Sequence, residues 1–447
     1  MTATGSWGLA RGTLLALAVA LALAAPLALL PARAHAAKVR VVNEQNEDEE
    51  GGTFIVTTIE FKAGRKRFSG VVRRSGRRYV FIARKGSMHA GNECRRIGRR
   101  RASCRPRRHL DGFNAVLSRR GDRFAMAIGR MPDVPVEVFG EGGADFIQAP
   151  GFRPGDGEGD GFASLAGGRG DDRLVGGSGP DDLIGQGGHD KISGRGNADR
   201  IFDPAGSGRS NRDSFDGGAG RDVVSYEERG TAVRVDLAHH RGGAGRERDR
   251  IKRVEDVIGG TADDTLIGDA RANSLDGLGG PDDLRGRQGD DALIGGTADF
   301  GSVDSFSGGP GDDRFRTSEF GLGDTGEQVV CGTGTDLILN SDVEDLLAPD
   351  CELAELRGTD ESFGTITVSP RVQGANAVFH LTCVPSVGTR CAGSVAVEGS
   401  TTNFDVPAGE SDVTVPLPAG VGPGDVVRIT VASSDFGAVW RTELQLP

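Results

Sequence analysis

Residues 167–175 read GGRGDDRLV and residues 176–184 read GGSGPDDLI, two nine-residue units that follow each other without a gap. Two further units beginning at Gly185 and Gly194 keep the same phase, and a second block of four such units begins at Gly259. Partial copies lie at residues 140–148, 217–224, 308–315 and 329–338. A fixed period of this kind indicates a solenoid, in which each unit packs only against its neighbours.

Each place in the unit has a physical role. Glycine in the first, second and fourth places permits positive φ and close approach of successive coils, so six residues can form a tight loop that exposes carbonyl oxygens. Aspartate in the sixth place adds a carboxylate, which makes an all-oxygen ligand set that suits calcium and disfavours zinc. The aliphatic residue in the eighth place is expected to point inward from a short strand as a stacked ladder, made in the first block by Leu174, Leu183, Ile192 and Ile201.

The unit resembles GGxGxDxUx, where U is a large aliphatic residue, the calcium-binding nonapeptide of the RTX family. The resemblance covers roughly two fifths of the chain. It implies a parallel β-roll, or β-solenoid, in which two nonapeptides make one turn of a flattened right-handed coil and calcium lies between loops stacked on the same side. Aspartates two units apart would then share an ion. The implied pairs are Asp172 with Asp190, Asp181 with Asp199, and Asp264 with Asp282.

The repeats supply a set of candidate calcium ligands and predict that the chain binds several Ca2+ ions. Without calcium the carboxylates would repel one another, so we expect a loose array that folds as ions bind. The candidate metal residues are Asp145, Gly168, Gly170, Asp172, Gly177, Gly179, Asp181, Gly188, Asp190, Asp199, Asp213, Asp222, Asp264, Asp282, Asp291, Asp304 and Asp313.

Some units depart from the pattern. Asn197 replaces a fourth-place glycine, which is tolerable because Asn visits the left-handed region, whereas Ala262 and Arg271 in that place are less suitable. Asn273 replaces a sixth-place aspartate, and Ala163 stands where a unit before Gly167 would need one. We expect these loops to be weak or empty sites.

The N-terminal segment predicts export. Residues 14–30 are almost wholly Leu and Ala, and Ala-His-Ala at 34–36 is a small-x-small cleavage pattern. A membrane anchor is the alternative, but Pro26, the cleavage triplet and the lack of a second long apolar run disfavour it. We expect a mature secreted chain that begins near Ala37 and has no membrane span. Many RTX proteins leave by an uncleaved C-terminal signal, so this chain resembles the Sec-exported bacterial variety.

Six cysteines fit an oxidising compartment because they fall into three local pairs. A zinc site would need CxxC spacing or histidine neighbours, which the sequence lacks. Proximity in sequence favours disulfides between Cys94 and Cys104, Cys331 and Cys351, and Cys383 and Cys391.

The segment before the repeats alternates β-branched or aromatic residues with polar ones, which predicts short strands. It also holds arginine runs at residues 73–78, 99–101 and 105–108. Clustered arginine is a feature of nucleic-acid binding, but no recognition motif accompanies it and few aromatics lie among the arginines. We therefore expect no nucleic-acid partner and interpret the segment as a solvated cationic face, able to contact an anionic polymer or the acidic repeats.

The pattern divides the chain into six parts and predicts an all-β fold, a calcium-binding roll flanked by a β module and a β-sandwich-like domain. Residues 226–258 lack the period and hold one predicted strand at 232–237. The predicted parts are a signal peptide (1–36), a basic N-terminal β module (38–139), a first repeat block (140–225), an insertion (226–258), a second block with a capping disulfide (259–355) and the C-terminal domain (356–447).

The sequence does not favour an enzyme. It contains no HExxH, GxSxG or P-loop motif, and His239 and His240 lie in an arginine-rich insertion that we interpret as solvated. We predict no catalytic residues and a secreted calcium-binding protein with a structural or surface role. The alternative is a calcium-dependent adhesin that binds a glycan or matrix partner through its flanking β modules, and an accessory to a hydrolase is less favoured. The oligomeric state stays open.

Overall fold

A computed structural model gives the fold, and all its secondary structure is β, as predicted, with no helix in the described part. None of these residues forms an apolar helix that could cross a membrane. The signal-peptide prediction lies almost wholly outside them. The structure describes residues 36–47, 53–75, 77–85, 87–128, 134–151, 162–204, 212–296, 302–317, 327–339, 346–348, 350–351, 353–357, 362–367, 370–383, 390–423, 425–433 and 439–446.

In the described residues, nine strands precede the repeats. They are β1 (Ala37–Glu47), β2 (Thr53–Lys62), β3 (Ser69–Ser75), β4 (Arg78–Lys85), β5 (Met88–Ala90), β6 (Cys94–Gly98), β7 (Arg101–Cys104), β8 (Gly112–Val116) and β9 (Arg123–Ala127).

Short strands, separated by loops, make up the repeat region. They are β10 (Val136–Phe139), β11 (Phe146–Gln148), β12 (Ala163–Arg169), β13 (Arg173–Val175), β14 (Asp181–Gly187), β15 (Lys191–Gly196), β16 (Arg200–Phe202), β17 (Ser214–Ala219), β18 (Val223–Ser225), β19 (Arg234–Asp236), β20 (Arg241–Gly242), β21 (Asp249–Lys252), β22 (Asp256–Ile258), β23 (Thr265–Ile267), β24 (Ser274–Asp276), β25 (Asp283–Arg285), β26 (Ala292–Ile294), β27 (Ser305–Pro310), β28 (Arg314–Arg316), β29 (Gln328–Thr333), β30 (Leu337–Leu339) and β31 (Leu346–Leu347).

Successive strands of the repeats alternate between two parallel sheets. In one sheet Leu165 pairs with Leu183, which pairs with Ile201, and in the other Leu174 pairs with Ile192. Each strand therefore pairs with the strand two units along, so two nonapeptides make one coil, as the resemblance implied.

The eighth-place residues form the core of the roll. Leu174, Leu183 and Ile201 are fully buried and Ile192 is 2 % exposed, so the predicted inward ladder is confirmed. The second block repeats the arrangement. Its fully buried eighth-place residues are Leu266, Leu275, Leu284 and Leu293.

The insertion, which lacks the nine-residue period, disturbs only one of the two sheets. One sheet continues without a break, because β18 pairs directly with β22. In the other sheet β21 pairs with β17 and β19 pairs with β23, both in parallel, and β20 lies antiparallel between β19 and β21. The insertion is thus one coil whose single strand has become three.

The N-terminal strands continue both sheets of the roll. β8 pairs in parallel with β2 and with β10, and β9 pairs in parallel with β3 and with β11. The antiparallel pairs β1–β2 and β3–β4 lie at this end. Buried phenylalanines fill the interior, with Phe61 stacked on Phe81 and Phe81 on Phe113. This end covers the first repeat, as a solenoid requires.

The last strands extend one sheet of the roll and form a second, separate sheet. β32 pairs in parallel with β30 and antiparallel with β33, while β36, β37, β39 and β40 form a separate four-stranded sheet. These strands are β32 (Leu353–Arg357), β33 (Ser362–Thr367), β34 (Arg371–Gln373), β35 (Asn376–Cys383), β36 (Arg390–Val397), β37 (Ser400–Pro407), β38 (Gly409–Pro416), β39 (Val426–Ser433) and β40 (Val439–Gln445).

All three predicted disulfides are present. Cys94 and Cys104 join paired strands at the N-terminal end, and Cys331 and Cys351 lie at the end of the repeats. The third bond joins β35 to β36, which belong to different sheets and do not pair with each other.

Candidate calcium-binding loops

Sixth-place aspartates of successive coils are linked by hydrogen bonds along the edges of the roll. The N–H of Asp172 donates to Oδ1 of Asp190 at 2.8 Å. The same bond joins Asp181 to Asp199 at 2.9 Å and Asp264 to Asp282 at 2.7 Å. The three pairs that the resemblance implied are therefore brought together by the parallel register of the strands that follow them.

These bonds define four stacks of loops, which we number in chain order by their first members. In every stack each backbone N–H donates to the acidic side chain of the next coil. Stack 1 contains Asp122, Asp145, Asp172, Asp190, Asp213 and Asp249; stack 2 contains Asp181, Asp199, Asp222 and Glu255; stack 3 contains Asp264, Asp282 and Asp304; stack 4 contains Asn273, Asp291, Asp313 and Asp336.

The second carboxylate oxygen of most stack members is buried and has no hydrogen-bond partner. Proteins rarely leave a buried polar atom unsatisfied, because its desolvation is then uncompensated. A cation would satisfy these oxygens, so the residues present fit a hard ion. The aspartates whose Oδ2 lacks a partner are Asp145, Asp172, Asp190, Asp199, Asp222, Asp249, Asp282, Asp291 and Asp313.

The first member of each stack differs, because a side-chain oxygen accepts a hydrogen bond from its own loop. In stack 2, Gly177 N–H donates to Oδ2 of Asp181 at 2.5 Å, and in stack 3 Gly260 N–H donates to Asp264. Stacks 1 and 4 begin in the same way. The N–H of Ser118 donates to the side chain of Asp122, and the N–H of Asp269 donates to the side chain of Asn273. We call these four loops closed, and we call the loops of the nine aspartates with an unpartnered Oδ2 open.

The backbone distinguishes the two kinds of loop. In the open loop before Asp172, Gly168 and Gly170 have φ of 101° and 122°, a region that favours glycine. Asn197 adopts φ of 72° in an open loop, which confirms that asparagine is tolerated there. Gly177 lies outside this region.

First-place glycines serve close approach and not left-handed backbone, which corrects one expectation. A Cβ on Gly167 would lie 2.4 Å from Oδ2 of Asp172, and a Cβ on Gly185 would lie 2.3 Å from Oδ2 of Asp190. Contacts this short do not occur, so a side chain here would displace the carboxylate oxygen. The first-place glycine therefore leaves room for the Oδ2 atom.

Burial makes these carboxyl groups poor acids. It raises the pKa of Asp199 to about 8, with neighbouring Asp181 adding to the effect. Burial likewise raises the pKa of Asp282 to about 8 and that of Asp172 to about 7, although each accepts a backbone hydrogen bond that acts in the opposite direction. Near neutral pH these groups hold protons unless a cation neutralises them.

All the metal candidates from the sequence fall in the four stacks or their loops. Gly168 and Gly170 lie in the loop of Asp172, Gly188 lies in that of Asp190, and Gly177 and Gly179 lie in the closed loop of Asp181. Whether each residue binds an ion stays a prediction. Two loops, one with Ala262 and the other with Arg271 and Asn273, are expected to bind calcium weakly, and this also stays a prediction. Both loops are closed.

Sequence reasoning missed four stack members, which lack full glycine signatures: Asp122, Asp249, Glu255 and Asp336. The remaining signal is an acidic residue two places before a buried apolar one. Asp122 precedes Phe124 in this way, and Asp249 precedes Ile251.

Asp282 and Asp264 are neighbours in stack 3 and offer a matched test of the two loop types. We expect Asp282→Asn to reduce the calcium bound per chain by more than Asp264→Asn does, because only Asp282 has an unsatisfied oxygen. Equilibrium dialysis against radioactive calcium measures the difference. Equal losses in the two variants would show that open and closed loops do not differ in binding.

A protein-family model matches the same part of the chain. Residues 166–201, 207–226 and 258–293 match the RTX calcium-binding nonapeptide repeat in four copies. No curated protein matches the chain. Repeats of this family bind Ca2+, and the buried, unpartnered carboxylate oxygens of the stacks fit that ion. This chain is therefore a calcium-binding repeat protein whose repeats, within residues 166–293, are of the RTX type.

Proposed function

We propose that the protein is secreted, that its roll folds as it binds calcium, and that its role is structural or at a surface rather than catalytic. One observation carries this proposal. Nine buried aspartates, all on loops of the two-sheet roll, have an oxygen without a hydrogen-bond partner. Each of these oxygens lies in a loop that stacks on the corresponding loop of the neighbouring coil.

Folding should require the ion because the charged roll is unfavourable without it. A buried carboxylate with no counter-charge has lost its hydration, and aspartates of successive coils repel one another. The unfolded chain does not contain the stacked loops, so calcium binds the folded state preferentially. The free energy of binding then adds directly to the free energy of unfolding.

Three disulfides support secretion, because such bonds form and persist in oxidising compartments. We expect the exported protein to begin near Ala37. N-terminal sequencing of protein recovered from the medium of a Sec-competent bacterial host measures this. Recovery only from the cytoplasm, with residues 1–36 still attached, would contradict export.

The hydrogen bonds and burial of the stack aspartates support a structural role. The stack aspartates are engaged with backbone N–H groups of the neighbouring coil and are buried, so they do not face a substrate cleft. His239 and His380 are hydrogen-bonded to the carboxylates of Asp236 and Asp412, an arrangement that supplies no nucleophile. These features favour a calcium-dependent scaffold.

Calcium titration of the full chain by circular dichroism tests the proposal. We expect a large gain of β signal with calcium, and little change with magnesium, which needs a stricter octahedral geometry and dehydrates reluctantly. The double variant with Asp190→Ala and Asp199→Ala should respond more weakly. The same β signal in chelator as in calcium would exclude calcium-driven folding.

One feature favours the adhesin alternative. The hairpin of β6 and β7 carries Arg95, Arg96, Arg99 and Arg100, all exposed, and the Cys94–Cys104 disulfide fixes its base. A rigid cationic hairpin suits an anionic glycan. Retention of the chain on heparin beads, lost on changing the four arginines to Ser, would support an adhesin, and no retention at low salt would exclude this surface.

A further inference from the structure

A group of acidic side chains lies where the insertion meets the first repeat block, and it includes Asp249, the last member of stack 1. Asp203 follows β16, whereas Glu247 and Asp249 belong to the insertion. One oxygen from each of the three lies within 4.8 Å of the others. Asp203 and Asp249 are 3 % and 2 % exposed, and the Glu247 side chain is 7 % exposed.

One cation of the protein is already present there. Arg229 donates to Asp203 at 2.8 Å and lies 3.2 Å from Glu247. It neutralises one of the three carboxylates, so the ionised cluster keeps about two negative charges in a place shielded from water. Each of Asp203 and Asp249 has one oxygen, Oδ2, that is buried and has no hydrogen-bond partner.

A second, independent feature points to a ligand. The Tyr226 side chain is completely buried, and its hydroxyl also has no partner. Burial, followed by the charges of Asp249 and Asp203, raises the pKa of this hydroxyl. A buried tyrosine hydroxyl usually has a partner.

Two adjacent glycines, Gly242 and Gly243, let the backbone approach these oxygens closely. A Cβ on Gly242 would lie 2.9 Å from the Tyr226 hydroxyl oxygen, and a Cβ on Gly243 would lie 2.7 Å from Oδ2 of Asp249. Gly243 also has φ of 117°, which favours glycine. The backbone of β20 and of the residue after it therefore borders the unpartnered oxygens of Tyr226 and Asp249 without a side chain between them.

We propose that Asp203, Glu247 and Asp249 form a divalent-cation site at the end of stack 1, in which calcium binds beside the Tyr226 hydroxyl and two of the three carboxylates, those of Asp203 and Glu247, come from outside the stacks. The donor set is all oxygen, and the residual charge of about minus two matches one divalent ion. The ion fastens the three-stranded insertion to the first repeat block. It thereby keeps in place the coil that separates the two blocks of nonapeptides.

Terbium, a hard ion that replaces calcium, provides the probe because a nearby tyrosine sensitises its luminescence. The chain has two tyrosines, and Tyr226 is the one at this site. In the full chain, Tyr226→Phe should remove most of the tyrosine-sensitised signal and leave the calcium count unchanged. Asp203→Asn should lower the count by one ion per chain and reduce the Tyr226-dependent signal severalfold.

Asp282→Asn is the matched control, because it alters a repeat loop in stack 3. It should lower the calcium count while keeping the Tyr226-dependent signal. An unchanged count and signal in Asp203→Asn, together with a lower count in Asp282→Asn, would overturn the new site but not the repeat sites. Unchanged counts in both variants would contradict the proposed function as well.

Terbium-soaked crystals of the unaltered protein decide the matter if Asp203→Asn does not fold. We expect an anomalous peak between Oδ2 of Asp203 and Oδ2 of Asp249. Density for water alone at that position, with terbium bound in the open loops, would overturn the proposal.

Discussion

In chelator, the amides of the repeat strands should exchange with deuterium within seconds, whereas in calcium they should be protected for hours. The difference is large because every open loop loses its ion at the same time. At a hundredfold excess of calcium over Kd, each site stabilises the folded state by about 2.7 kcal/mol. Several sites in one cooperative array therefore outweigh the usual stability of a domain.

The N-terminal strands provide an internal control for this exchange experiment. Their core contains Phe61, Phe81 and Phe113, and none of the open loops lies among β1 to β7. They should keep much of their protection in chelator. Equal protection of strands such as β14 and β15 with and without calcium would contradict ion-dependent folding.

Lowering the pH should partly replace calcium. In the calcium-free chain, Asp145, Asp199 and Asp282 have folded pKa values of about 8, raised by burial from 3.8. The folded state then binds more protons than the unfolded state between these values, so its stability is fully present below about pH 4 and is lost as the pH rises to 8. Each extra proton contributes a slope of about 1.4 kcal/mol per pH unit.

Thermal melts in chelator at pH 5 and pH 8 measure this effect. Ordinary carboxylates are ionised at both pH values, so the difference in melting temperature reports on the buried aspartates. We expect a higher melting temperature at pH 5, and a much smaller difference when calcium is present. A melting temperature that rises with pH in chelator would show that these carboxylates are not buried as the roll requires.

Much of the roll could be predicted because the sequence repeats every nine residues. The glycines, the sixth-place Asp and the eighth-place residue such as Leu183 fix loop, ligand and core independently, and all three agree. The two-unit coil followed from the family resemblance and was confirmed by the register of Leu165 with Leu183.

The rest depends on contacts between coils, which no single unit encodes. The unit of Asp181 matches the pattern fully, yet its loop is closed, because it opens a stack after Ala163 and Pro150 instead of after another repeat loop. The insertion likewise depends on contacts between coils, because Tyr226 and Asp249 are brought near each other only by the pairing of strands that are distant in sequence.

The most direct test of the central claim is anomalous diffraction from crystals grown in calcium. Ions should lie at the unpartnered Oδ2 atoms of Asp190, Asp199 and Asp291, coordinated by oxygens of two successive loops. Well-ordered open loops at millimolar calcium that hold only water would contradict the claim that these buried carboxylates exist to bind the ion.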